Sequence, residues 1–141
     1  MKNSMRFLML SMSLLWIVTS CDQLSEENEE PANVYEKIKG TWTINKMNMF
    51  GVDIPGDGST LTFEQCDEPP CIGRDYEATD ETTGEFTYEF IENESKILIV
   101  DEDENGGNYN ATWAILDFES KSLRMTGEFG IFGNMQVEMN K

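Results

Sequence analysis

Few side chains in this chain of 141 residues carry reactive chemistry. There is no histidine, so the commonest proton shuttle and the commonest metal ligand are both missing. Cysteines stand at 21, 66 and 71. The run Cys66-Asp-Glu-Pro-Pro-Cys71 puts four residues between two thiols, against the two of a common zinc hairpin, although Asp67 and Glu68 would add oxygen donors. Asp101-Glu-Asp103-Glu-Asn105-Gly106 follows the D-x-D-x-N-G order of a calcium loop, with Asp101, Asp103 and Asn105 as ligands. The last ligand position of such a loop requires a bidentate Glu and here holds Thr112. Asn-Gly between alternating segments is also a hairpin turn, which the acids would simply solvate. The turn is the preferred reading, and weak Ca²⁺ binding is the second. Glu85 and Glu89 imitate a glycosidase dyad, but alternation assigns both to a solvated face. Neither Ser-x-x-Lys nor a Gly-rich phosphate loop ahead of a helix is present. The expectation is a protein without catalytic residues, resident metal or cofactor. With 27 acids against 10 bases, a net charge of −17, no basic surface is available for a phosphate backbone, and nucleic acid is excluded as a partner.

The N-terminus supplies an address. Lys2 and Arg6 precede the apolar run Phe7 to Ile17, and Val18-Thr19-Ser20 leads into Cys21, the organisation of a secretory leader. The uncharged stretch from Phe7 to Cys21 has 15 residues, short of the ~20 that a spanning helix needs. Val-Thr-Ser-Cys resembles the bacterial lipobox. The resemblance implies that residues 1–20 are removed and that Cys21 becomes an acylated N-terminus, so the first partner is a membrane reached through a lipid anchor. At ~0.8 kcal/mol per buried CH₂, two or three acyl chains hold a protein stably. Asp22 to Glu30 then carries five acids, with no base before Lys37. Within it, Ser25-Glu-Glu-Asn-Glu-Glu resembles the acidic export signal of surface lipoproteins in Bacteroidota. That implies an outer-membrane lipoprotein exposed at the surface. Otherwise residues 21–33 are a self-repelling tether that lifts a periplasm-facing domain off the bilayer. Loss of Lys2 and Arg6 leaves eight bases and a mature balance of −19.

Residues 34–141 read as one β domain. Asn33 to Lys39, with Val34 and Ile38 four apart behind Pro-Ala-Asn, predicts a single short helix. Alternation then predicts eight strands near 41–49, 60–64, 74–79, 85–91, 96–100, 109–118, 122–128 and 134–139. In the first, the apolar phase changes from Trp42 and Ile44 to Met47 and Met49, which suggests a bulge or bend. No interval is long and helical enough for a parallel crossover. Assigned inward are Trp42, Phe63, Tyr76, Phe86, Tyr88, Phe90 and Trp113. They either fill the interior of a narrow barrel or line a pocket with Tyr76 and Tyr88 as polar handles. With Cys21 committed to the anchor, Cys66 and Cys71 form an even pair in an oxidising compartment, and a disulfide is the preferred reading over a metal site.

A helical turn feeding Gly40-Thr41-Trp42, followed by a meander of eight strands, resembles the lipocalins, and in particular the small lipocalin-like lipoproteins of Bacteroidota. The likeness covers roughly residues 34–140. It implies an all-β fold, an antiparallel up-and-down eight-stranded barrel with one short N-terminal helix, that binds a small hydrophobic ligand non-covalently. It also implies that Trp42 closes one barrel end against a basic side chain, with Lys141 or Arg124 as candidates. The Thr-Asp-x-x-Tyr segment and the C-terminal helix of that family are missing here. A META-type β-domain, which also opens with Gly-x-Trp, is the competing resemblance. The alternative function is a non-catalytic structural module with a filled core that contacts another envelope protein. Mass spectrometry of protein purified from its own membrane is expected to show acyl chains on an N-terminal Cys21 and a two-hydrogen deficit across Cys66 and Cys71. A free N-terminus upstream of Cys21 would refute the anchor.

Overall fold

Side-chain alternation builds nearly every element. The structure, a computed structural model, describes residues 33–101, 109–129 and 133–141. Cys21, Asp103 and Asn105 lie outside the described residues. A five-residue helix, α1 (Val34–Ile38), is capped by Asn33, whose side chain accepts from the Tyr35 amide at 3.0 Å. Among the described residues nine strands follow: β1 (Gly40–Met49), β2 (Val52–Pro55), β3 (Thr60–Phe63), β4 (Cys71–Glu77), β5 (Thr82–Ile91), β6 (Lys96–Asp101), β7 (Ala111–Phe118), β8 (Ser122–Glu128) and β9 (Asn134–Asn140).

All ladders are antiparallel, and β1 pairs with β9 to close the sheet. β3 lies opposite Gly40–Thr43 and β2 opposite Lys46–Met49, on the same edge of β1. Together they form a single stave, so the molecule is a closed eight-stranded antiparallel barrel of lipocalin-like form, as the sequence predicts. β2 is the element that alternation overlooks. All four of its residues are exposed, and it forms because Phe50 (φ 55°) and Gly51 (φ 77°) make a two-residue turn whose twist suits a hairpin. The phase change in β1 is a bulge: its register against β9 shifts between Ile44 and Lys46, and Gly56 donates to the Asn45 carbonyl at 2.7 Å. Beyond it, Met47 faces Val137 and Met49 faces Met135 across the closing ladder.

β4 corrects the sequence reading. It begins at Cys71 instead of Arg74, and its inward residues are Cys71, Gly73 and Asp75. Tyr76, expected inside, is on the outer wall and 37% exposed. The reason is parity: Cys71 is buried beside Tyr88, and every second residue from it points inward. Cross-strand pairs on this face alternate in size. Gly73 lies opposite Phe86, whose ring fills the space that a side chain at 73 would take, and Phe63 meets that ring from β3 at 5.7 Å.

Trp42, Ile44, Leu61, Phe63, Tyr88, Ile97, Ile99, Trp113, Leu123, Met125 and Met139 are almost wholly buried in one cluster. Burial of each large apolar side chain is worth roughly 1.5–3 kcal/mol, so this filled interior is the main source of stability. The Cys66–Cys71 disulfide, with Cα atoms 5.3 Å apart, ties the β3–β4 connection. A loop this short contributes about 2 kcal/mol in the chain-entropy model. Gly73→Ala forces a methyl group into the Phe86 ring and is expected to lower stability by about 1–3 kcal/mol. In a urea-denaturation cycle with Phe86→Leu, the double variant should lose less than the sum of the two singles. Strict additivity would disprove the contact.

Candidate functional site

The two barrel ends are built differently. At the end covered by α1, Trp42 Nε1 donates to the Ile38 carbonyl at 2.6 Å, and Lys141 Nζ stands 5.1 Å from the centre of the Trp42 ring. Lys141 also donates to the Lys37 carbonyl at 3.2 Å, while Lys37 Nζ lies 4.2 Å over the Phe118 ring. Of the two basic candidates, Lys141 therefore meets Trp42. Arg124 stands opposite Glu138 in the β8–β9 register, on the outer wall. Gly40 takes φ 117°, and a Cβ there would meet the Lys141 stem at 2.7 Å. That contact gives Gly-x-Trp its physical meaning. Tyr35 of α1 packs edge-on against Phe90 at 5.0 Å, and Tyr88 Oη donates to the Glu64 carbonyl at 3.0 Å.

Of the seven side chains assigned inward, Trp42, Phe63, Phe86, Tyr88 and Trp113 are buried. Phe63 and Tyr88 stack edge to face at 4.9 Å, so these rings meet one another. Phe90 is half-buried beneath α1, and Tyr76 is outside. Glu85 lies on the outer wall, 3.8 Å from Arg74.

At the opposite end, hereafter the upper end, the inner wall becomes polar. Asp75 is 9% exposed, and its Oδ1 is buried without a hydrogen-bond partner. It lies opposite Gly84 of β5, whose missing side chain leaves the space that the carboxylate occupies. Two residues on, roughly 6.6 Å along the strand, Glu77 ends β4, and its Oε1 is also buried and unpartnered. Ser59, itself buried, accepts from the Ala78 amide at 3.0 Å, and its single hydroxyl proton lies between Asp57 and Glu77 Oε2, the latter 3.4 Å away. The Tyr109 phenol, buried beside Trp113, faces Glu77. Its carbonyl accepts from Trp113 Nε1 at 2.8 Å, which holds the start of β7 over the acids.

Electrostatics follow from this crowding of one sign. Burial pushes the Asp75 carboxyl above the usual range, and Asp101 and Glu77 push it the same way; the amides of Asp75 and Gly84 oppose. Burial, then the charge of Glu77 and a hydrogen bond from the phenol to it, and then the charges of Asp75 and Asp57 hold Tyr109 protonated, well above ordinary tyrosine. Asp57 goes the other way, down to about 2, because the side chain and amide of Ser59 and then the Thr79 hydroxyl donate to it. The ion pairs of the described residues lie elsewhere: Lys39–Glu36, Lys46 with Asp53 and Glu138, Arg74 with Glu64 and Glu85, and Lys96–Glu92. Among the described residues no three metal-ligating side chains converge.

Sequence reasoning missed Asp75, Glu77, Tyr109 and Ser59 as a group. The available signal was the parity running from Cys71 through Gly73 to Asp75. Concavities lined by described residues occur on the outer wall, one of them a groove of about 470 Å³ bordered by Lys96, Thr112, Ala114, Thr126 and Glu128. Comparison with known protein families, curated proteins and solved structures finds no match for this chain.

The Asp75 shift has a definite sign. Between the unfolded carboxyl value of ~3.9 and its raised folded value, the native state binds more protons, so this group's contribution to stability falls as pH rises through that window. Asp75→Asn should therefore be more stable than wild type at pH 7, by about 1 kcal/mol, with the advantage shrinking toward pH 4. Asp57 acts oppositely, stabilising above 3.8 and losing that contribution as pH falls toward about 2. Urea melts of both proteins at pH 4 and 7 test this, and an unchanged difference between the two pH values would contradict it.

Proposed function

We propose that this chain is a membrane-anchored lipoprotein whose lipocalin-like barrel holds a small apolar molecule non-covalently at the upper end. The anchor rests on Lys2, Arg6, the apolar run and the Val-Thr-Ser-Cys box ahead of Cys21. The acidic stretch from Asp22 to Glu30 supports display at the outer-membrane surface.

The observation that carries the binding reading is the difference between the ends. The α1 end is packed and hydrogen-bonded, whereas the upper end keeps buried carboxylate oxygens without protein partners. Buried polar atoms in folded proteins are nearly always satisfied, so these oxygens call for a partner that the described side chains do not supply. Met47 and Met49 on β1 and Phe129 after β8 lie toward the same end, partly buried against the core, and offer adaptable apolar surface there. The aromatics below support this site from beneath and are too closely packed to form its walls.

A second reading has its own observation. The β1–β2 hairpin exposes Phe50 and Val52 at more than half of their surface, and Ile54 beside them, as a protein-contact module would. An environment-sensitive hydrophobic dye separates the two. Under the binding reading it shifts Trp113 emission, and Met49→Arg weakens it at least tenfold while Ile72→Arg on the outer wall does not. Absence of dye binding by folded protein would leave the interaction module.

A further inference from the structure

The carboxylates at the upper end specify the chemistry of what they meet. An ionised carboxylate only accepts hydrogen bonds, and burying one without a partner is costly. Asp75 sits on an inward position of β4, nine-tenths buried; the amides of Asp75 and Gly84 favour its charge, and its Oδ1 has no hydrogen-bond partner. Glu77 at the end of the same strand meets the hydroxyls of Ser59 and Tyr109 and keeps Oε1 unpartnered. Each element around Asp75 contributes a neutral or negative group. β3 presents Leu61 and β5 presents Gly84, while β6 ends in Asp101. Tyr109 precedes β7, and Asp57 and Ser59 lie in the connection before β3. None of the ion pairs formed by described lysines and arginines includes Asp75 or Glu77. The complement missing from the protein is a positively charged donor.

We infer that the ligand is an amphipathic amine whose ammonium group is received by Asp75 and Glu77 and whose apolar body lies against Met47, Met49 and Phe129. This rests on the binding reading above and names its substrate class. An ammonium supplies three N–H donors on one charge, enough for Asp75 Oδ1 and Glu77 Oε1 at once. A fatty acid is disfavoured, because its carboxylate would add a further negative charge beside Asp75, Glu77, Asp101 and Asp57. A metal ion is disfavoured because no set of three ligating side chains converges among the described residues. Methionine side chains repack readily around apolar bodies of differing shape.

The test uses the full-length protein in phosphatidylcholine nanodiscs, with empty nanodiscs subtracted, and three probes of equal length: hexylammonium, 1-hexanol and hexanoate. Affinity is read from Trp113 emission and from the shift in melting temperature. Hexylammonium is expected to bind at least tenfold more tightly than 1-hexanol, and hexanoate more weakly than either. Asp75→Asn and Glu77→Gln, each checked for a native near-UV circular dichroism spectrum, should bring the amine down to the level of the alcohol. Equal binding of amine and alcohol would overturn the ammonium site while sparing the binding reading. An amine preference that survives both substitutions would trace it to the acidic exterior and overturn the site too. Stabilisation by millimolar Ca²⁺ alone, abolished by the same substitutions, would replace the amine with a metal. If no probe binds wild type, the binding reading itself fails.

Discussion

The ladder between β1 and β9, running from Thr43 opposite Asn140 to Met49 opposite Met135, turns a meander into a cylinder. Without it both strands would carry unpaired amides and carbonyls along a free edge, and the inward residues of the barrel would face water. Closure has a geometric condition. β1 must pair with β9 on one side and with two successive partners on the other, and it does so by bulging at Asn45, where its register moves by one residue. Trp42 and Ile44 below the bulge and Met47 and Met49 above it then all face inward. An unbulged strand would send one of those pairs to solvent.

A small closed barrel has little interior volume, and how it is filled decides what it can do. Toward α1 the aromatics meet edge to face, and the helix, Trp42 and Lys141 cover the opening with hydrogen bonds and a cation over a ring. Near the upper end, glycine stands opposite Asp75 where a side chain would otherwise pack, and carboxylates replace hydrocarbon. The cost of keeping Asp75 in that place falls on the folded state at neutral pH. Such a cost is characteristic of functional sites, where a group is retained for what it contacts and not for stability.

Much of the architecture was legible in the chain. Seven of the eight expected strands lie within a residue or two of their places or overlap them broadly, because alternating Trp, Ile, Leu, Phe and Met admit a single solvated face. The phase change at Met47 announced the bulge, and Gly40-Thr41-Trp42 announced the covered end. β2 was not legible, since an exposed hairpin arm carries no burial pattern. Tyr76 was misread for the opposite reason: an aromatic residue was assigned inward although the parity of β4 starts at Cys71. Hydrophobicity identifies faces only where the inside is apolar, and on β4 it contains glycine and aspartate.

By itself the sequence determined the local quantities: strand positions, the short helix, the paired cysteines and the acid excess. Each depends on neighbours a few residues away, or on composition. The tertiary structure alone decided that Lys141 and not Arg124 reaches Trp42, that the predicted pocket aromatics pack on one another, and that Asp75, Glu77, Ser59 and Tyr109 share one end of the barrel. These juxtapositions join residues as far as 99 positions apart. They arise from register and closure, which no window along the chain contains.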